Sequence, residues 1–175
     1  MNRKVSSSFS TRVLGEVVTF VALATALSFV KIYTFPQGGS VTAGSMVPIL
    51  WLALRRGPRT GLFTAIVYGL VQLAVEPYFY NPAQVLLDYP LAFGALGLAG
   101  FFQKRPLAGV ILGVAGRFVM HFLSGILFFA SFAPEGMNPL LYSALYNGSY
   151  LIPELAISCF IVYLLEKSNV LRMQL

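Results

Sequence analysis

Apolar residues run through this chain in long blocks, separated by short stretches that are polar or rich in Gly and Pro. Six blocks stand out, at residues 13–34, 40–54, 60–76, 84–102, 107–131 and 143–166. A helix needs about 20 apolar residues to cross the hydrocarbon core of a bilayer, and only helices or closed barrels satisfy every backbone group there. The pattern predicts an all-α integral membrane protein, a compact bundle of six transmembrane helices forming one domain over residues 1–175. The second block is short, with Pro48 inside it. At 1.5 Å per residue it covers about 22 Å, so it is expected to tilt against its neighbours or to start below the surface.

Composition points the same way. Hydrophobic residues make up 57% of the chain and charged residues 10%, with mean hydropathy +0.76, whereas soluble domains carry about 25% charged residues. Too little polar side chain is left to cover a water-exposed surface. Met1 to Thr11 are polar and precede a run too long for the apolar region of a secretory signal, so no signal peptide is read there. The single cysteine, Cys159, excludes an internal disulfide and a cysteine-based metal site.

The net charge of +6 matters through its placement. Arg3, Lys4 and Arg12 precede the first block, Arg55, Arg56 and Arg59 follow the second, Lys104 and Arg105 follow the fourth, and Lys167 and Arg172 follow the sixth. The alternate connections carry only Lys31, at the end of the first block. The positive-inside rule then places both the N and C termini in the cytoplasm. The basic residues report orientation in a lipid membrane, and no nucleic-acid partner is implied. The outward connections are longer and rich in Pro, Gly, Asn and aromatics, a composition suited to covering a site entered from outside.

Polar groups inside apolar blocks are costly in lipid and are functional candidates by default. Gln84 and Asp88 stand four apart on one face of the fourth block. Arg117, His121, Ser124, Gly125 and Phe128 form a stripe on the fifth. In the sixth, Asn147 sits above Glu154, and Tyr142, Tyr146 and Tyr150 repeat every fourth residue. Two readings stay open for Asp88: a structural pair with Arg117, or a partner of a ligand. Glu154 is either a deeper pocket residue or the partner of Arg117, and the roles of Glu76 and Glu135 are not ordered. Gly125 would let a ligand approach the backbone, and Pro153 is expected to kink the sixth helix. Tyr78, Phe79 and Tyr80 fit either a cavity mouth or an interfacial aromatic belt. Gly15, Thr19, Ala22 and Ala26 form a small-residue groove on the first block, suited either to a foreign helix or to internal packing.

Enzyme signatures are poor. No strained nucleophile motif surrounds Ser124, one histidine and one cysteine cannot build a usual zinc site, and no phosphate-binding Gly-rich loop followed by Lys occurs. The chain is read as a non-enzyme without cofactor or metal, and any active transport must draw on partners or an ion gradient.

The segments ALATALSF, LRRGPRTGL, QVLLDYPLAF, HFLSGILFFASFAPEGM and LYNGSY together resemble the thiamine-specific S components of energy-coupling factor transporters, and the resemblance runs over nearly the whole chain. It implies a multi-pass subunit in the plasma membrane of a prokaryote. Such a subunit captures thiamine from outside and works with a transmembrane coupling subunit and two ATPase subunits. It further implies docking on the coupling subunit through Ala22 and Ala26, and a lid formed by Phe35 to Ser40. For the site, Asp88 matches a glutamate facing the aminopyrimidine and Tyr89 the tyrosine after it. His121 matches a histidine beside the thiazolium, with Gly125 and Tyr78 near the hydroxyethyl end and Tyr142 and Asn147 around the pyrimidine. Gln84 and Tyr146 join the candidate binding set, as does Phe129, which stands where the family has a tryptophan. Asp88 is one methylene shorter than the family's glutamate, and the only tryptophan, Trp51, lies outside the lid. The competing readings are an S component for another vitamin or a thiamine precursor, an intramembrane enzyme using His121 and Asp88, and a structural assembly subunit.

Overall fold

The computed structural model describes residues 10–168; Arg3, Lys4 and Arg172, used above for orientation, and the polar N-terminal residues before Ser10 lie outside them. Helix α1 (Thr11–Ser28) starts at the cap Ser10, whose side chain accepts from the Val13 N–H. A hairpin follows, strand β1 (Lys31–Thr34) pairing antiparallel with β2 (Ser40–Thr42). Helices α2 (Val47–Arg56), α3 (Pro58–Val75), α4 (Pro82–Phe102), α5 (Pro106–Phe128) and α6 (Pro139–Lys167) complete the chain.

Five of these helices, α1 and α3 to α6, are long and apolar enough to cross a bilayer, with lengths of 18, 18, 21, 23 and 29 residues. The second predicted span is not among them. Residues 40–42 form β2, and α2 begins only at Val47, with Pro48 in its first turn rather than inside it. At its observed length α2 extends about 15 Å. Val47 through Leu54 are all buried, on every face of the helix, so α2 is core rather than lipid-facing wall. The first predicted span also ends early: α1 stops at Ser28, and Lys31 to Thr34 are extended. Here a hairpin overrides the apolar run, because Ile32 and Thr34 are β-branched and pair readily as strand. The other ends shift by a few residues, and α6 runs through Pro153 as one continuous helix.

Close helix packing rests on small residues. A Cβ at Gly97 of α4 would collide with the Leu62 backbone, and one at Gly61 of α3 would stand 3.0 Å from the Gly97 carbonyl, so these helices meet backbone to backbone. On α1 the inward stripe is Val17, Val21, Ala24 and Ser28. Gly15, Thr19, Ala22 and Ala26 lie on the exposed side, so the internal-packing reading of that groove does not hold. Near the N-terminal end of the stripe Glu16 forms a bidentate ion pair with Arg56 of α2.

One irregularity positions the site. Pro90 has no N–H to continue α4, and residues Leu87–Leu91 widen into a π-helical turn in which the Ala92 N–H reaches back to Leu87 O. Such turns re-aim side chains and recur at functional sites. This one carries Asp88 and Tyr89.

Candidate functional site

The ends of α3 to α6 nearest the hairpin, together with the hairpin itself, line a cavity of ≈ 420 Å³. Its wall includes Tyr78, Gln84, Asp88, Tyr89, His121, Gly125, Phe129, Tyr142, Tyr146 and Asn147. The ten residues singled out from sequence therefore share one space, although they come from three helices and two connections.

Asp88 is the polar centre. Its Oδ1 lies 3.0 Å from His121 Nδ1, while Oδ2 accepts from Gln84 Nε2 at 2.7 Å and Ser124 Oγ at 2.9 Å. Arg117 Nε donates to His121 Nε2 at 3.2 Å. The imidazole thus accepts at Nε2, carries its proton on Nδ1 and donates it to Asp88, which fixes the tautomer. Arg117 and Asp88 are coupled through the imidazole, not paired directly as one sequence reading had it. The guanidinium also lies 4.1 Å from the Phe93 ring centroid, a cation–π contact that suits a charge held away from water. Three donors on one carboxylate hold it in place as a charged wall.

Asn147, buried on α6, donates to Ser143 O at 2.9 Å and His121 O at 3.3 Å, while its Oδ1 accepts from Tyr150 OH at 2.7 Å. The tyrosine ladder forms as its spacing implied, Tyr142 stacking on Tyr146 at 6.1 Å and Tyr146 meeting Tyr150 edge-on at 5.8 Å. Tyr89 fastens the loop before α4, its OH donating to Glu76 O at 2.8 Å and accepting from the Tyr78 N–H at 2.7 Å. Tyr78 and Tyr80 pack on Phe129, at 5.8 and 5.6 Å between ring centres. Tyr78 thus belongs to the mouth, whereas Phe79 is largely exposed. Gly125 lines the cavity but has a further reason to be glycine. A Cβ there would overlap Ser143 Oγ, so the position is needed for α5 and α6 to meet.

The roof contains pairings that the sequence did not single out. Lys31 of β1 bridges to Glu76 at the end of α3 at 2.6 Å. The Gly39 N–H donates to Tyr146 OH at 3.0 Å, and Phe35 lies 6.2 Å from both Tyr146 and Tyr150. Thr42 donates from its backbone N–H at 2.5 Å and from Oγ1 at 2.7 Å to Glu154 Oε1. Glu154 is therefore bound to the roof and is not the ion-pair partner of Arg117. Partners separated by 107 and 112 residues leave no local signal. Among the described residues no group of three or more His, Cys, Asp or Glu side chains is arranged to hold a metal ion.

The arrangement suits a small, flat, positively charged guest: a hydrogen-bonded carboxylate, aromatic faces and a carboxamide edge around one cavity. A family model described as "Thiamine transporter protein" matches residues 14–173. A protein named Thiamine transporter ThiT from Bacillus subtilis is 35% identical over 171 residues, covering 87% of this chain and 88% of its own length. One of the same name from Lacticaseibacillus paracasei is 30% identical over 156 residues, covering 78% and 77%. A solved structure of ThiT from Listeria monocytogenes matches with a TM-score of 0.82 and 26% identity, covering 90% of this chain and 94% of that one.

Proposed function

The chain belongs to the thiamine transporter protein family, whose named members are transporters and not enzymes, and from that premise we propose that it is the thiamine-binding S component of an energy-coupling factor transporter. The observation that carries the substrate is the enclosed wall of Asp88, His121 and Asn147 beneath the aromatic roof. A thiazolium is a permanent cation. Aromatic faces attract a desolvated cation by about 2 kcal/mol, and the carboxylate supplies the opposite charge. Asp88 and Tyr89 serve the aminopyrimidine together with Tyr142 and Asn147, His121 and Phe129 flank the thiazolium, and Gly125 and Tyr78 stand near the hydroxyethyl end, with Gln84 and Tyr146 supporting them.

In this reading the protein is a multi-pass protein of the bacterial plasma membrane with both termini cytoplasmic, and α2 is a sixth, membrane-embedded helix. The exposed groove at Ala22 and Ala26 docks on a transmembrane coupling subunit energised by two ATPase subunits. That the chain carries no phosphate-binding loop of its own supports the need for such partners. The test is isothermal titration of the purified protein in nanodiscs with thiamine, its pyrimidine half and riboflavin. Tight, thiamine-preferring binding is expected. Absence of thiamine binding, or preference for another vitamin, would overturn the reading.

A further inference from the structure

Resting on that reading, we propose that Glu154, outside the candidate binding set, supplies the uncompensated negative charge that makes the cavity select a cation over a neutral ligand of the same shape. The charged side chains on the cavity wall are Lys31, Glu76, Asp88, Arg117 and Glu154. Lys31 is bonded to Glu76 at 2.6 Å. Arg117 is linked to Asp88 through the neutral imidazole of His121. Each of those acids is bonded to a basic counterpart directly or through the imidazole, whereas among the described residues Glu154 has no ion-pair partner and Arg117 acts on it only from a distance.

Glu154 is 2% exposed. Its Oε1 accepts both donors of Thr42, and its Oε2 is buried with no hydrogen-bond partner among the described residues. A carboxyl so placed in a membrane protein is costly, and a residue that satisfied only the Thr42 bonds would do so as well with a carboxamide. What a carboxamide lacks is charge. Counted as formal charges over the described lining residues, Lys31 and Arg117 set two positive against three negative on Glu76, Asp88 and Glu154, one negative in excess. That excess matches one permanent cation.

Glu154 lies two turns inward from Asn147 on α6, about 10 Å along the axis. At that range, in a protein-like dielectric, one unit charge alters the affinity of a monocation by roughly tenfold. Asp88 anchors the ligand by contact, whereas Glu154 acts on its charge.

The experiment titrates wild type, Glu154→Gln and Glu154→Asp in nanodiscs with thiamine and with a neutral isostere whose thiazolium is replaced by thiophene. Wild type is expected to prefer thiamine, and Glu154→Gln to lose roughly tenfold for thiamine with little change for the isostere. Glu154→Asp should keep the preference. Unchanged thiamine affinity in Glu154→Gln, or equal weakening of both ligands, would overturn the proposal while leaving the functional reading intact. If Glu154→Gln binds neither ligand, Glu154→Asp decides: a retained preference supports the proposal and an equal loss overturns it. Failure of wild type to bind thiamine would sink the functional reading and this inference with it.

Discussion

Replacing Asp88 by Asn changes the shape of the side chain very little but turns one acceptor oxygen into an NH₂ donor. In the native site Oδ2 accepts two bonds, from Gln84 and Ser124, and Oδ1 one, from His121. The carboxamide oxygen will take the place with two donors, so its NH₂ must face His121 Nδ1. The imidazole can accept there only by moving its proton to Nε2. That proton then points at Arg117 Nε–H, which now donates to the same atom. Either the Asp88–His121 or the Arg117–His121 bond is therefore lost, and no tautomer restores both. One hydrogen bond to a charged group contributes about 1.5–3 kcal/mol, equivalent to roughly 10- to 100-fold in affinity. Isothermal titration of Asp88→Asn with thiamine should show a dissociation constant raised within that range, with the protein still monodisperse. A constant within about twofold of wild type, well below the 1.4 kcal/mol of a tenfold change, would refute the relay as the basis of binding.

Three further outcomes follow from separate parts of the structure. Gly125→Ala drives a Cβ into Ser143 Oγ and should destabilise the fold by about 1–3 kcal/mol, seen as a lower Tm that Ser143→Gly partly restores; an unchanged Tm would contradict the close α5–α6 contact. Tyr146→Phe removes the acceptor of the Gly39 N–H, and at about 1 kcal/mol for a neutral bond should speed thiamine release roughly fivefold in a stopped-flow chase, with little effect on association. Ala22→Trp and Ala26→Trp place bulk on the exposed face of α1 and should spare binding while abolishing cellular uptake; uptake at the wild-type level would refute docking through this face.

Much of the site could be read without coordinates because its residues sit at helical spacing inside apolar blocks. Asp88 with Gln84, His121 with Ser124, and the tyrosine ladder each declare a face of one helix, and lipid makes any polar face conspicuous. Which faces meet is another matter. Spacing on α5 could not say that Arg117 reaches Asp88 only through His121, nor that Gly125 is demanded by Ser143 as well as by the cavity.

Chain chemistry alone determined that this is a helical protein with several spans apolar enough for a bilayer, and which polar side chains must seek partners; the proposed orientation of its basic ends also rests on the sequence alone. These are properties of local composition and period, and each is legible within a single segment. The tertiary structure decided that residues 31–42 fold as a hairpin over the cavity, that α2 is a short buried helix, and that Glu154 binds Thr42 while Lys31 binds Glu76. In apolar surroundings a buried donor or acceptor takes whichever partner the packing brings near. Such pairings join positions far apart in the chain, and their identity is a property of the assembled bundle rather than of any segment of it.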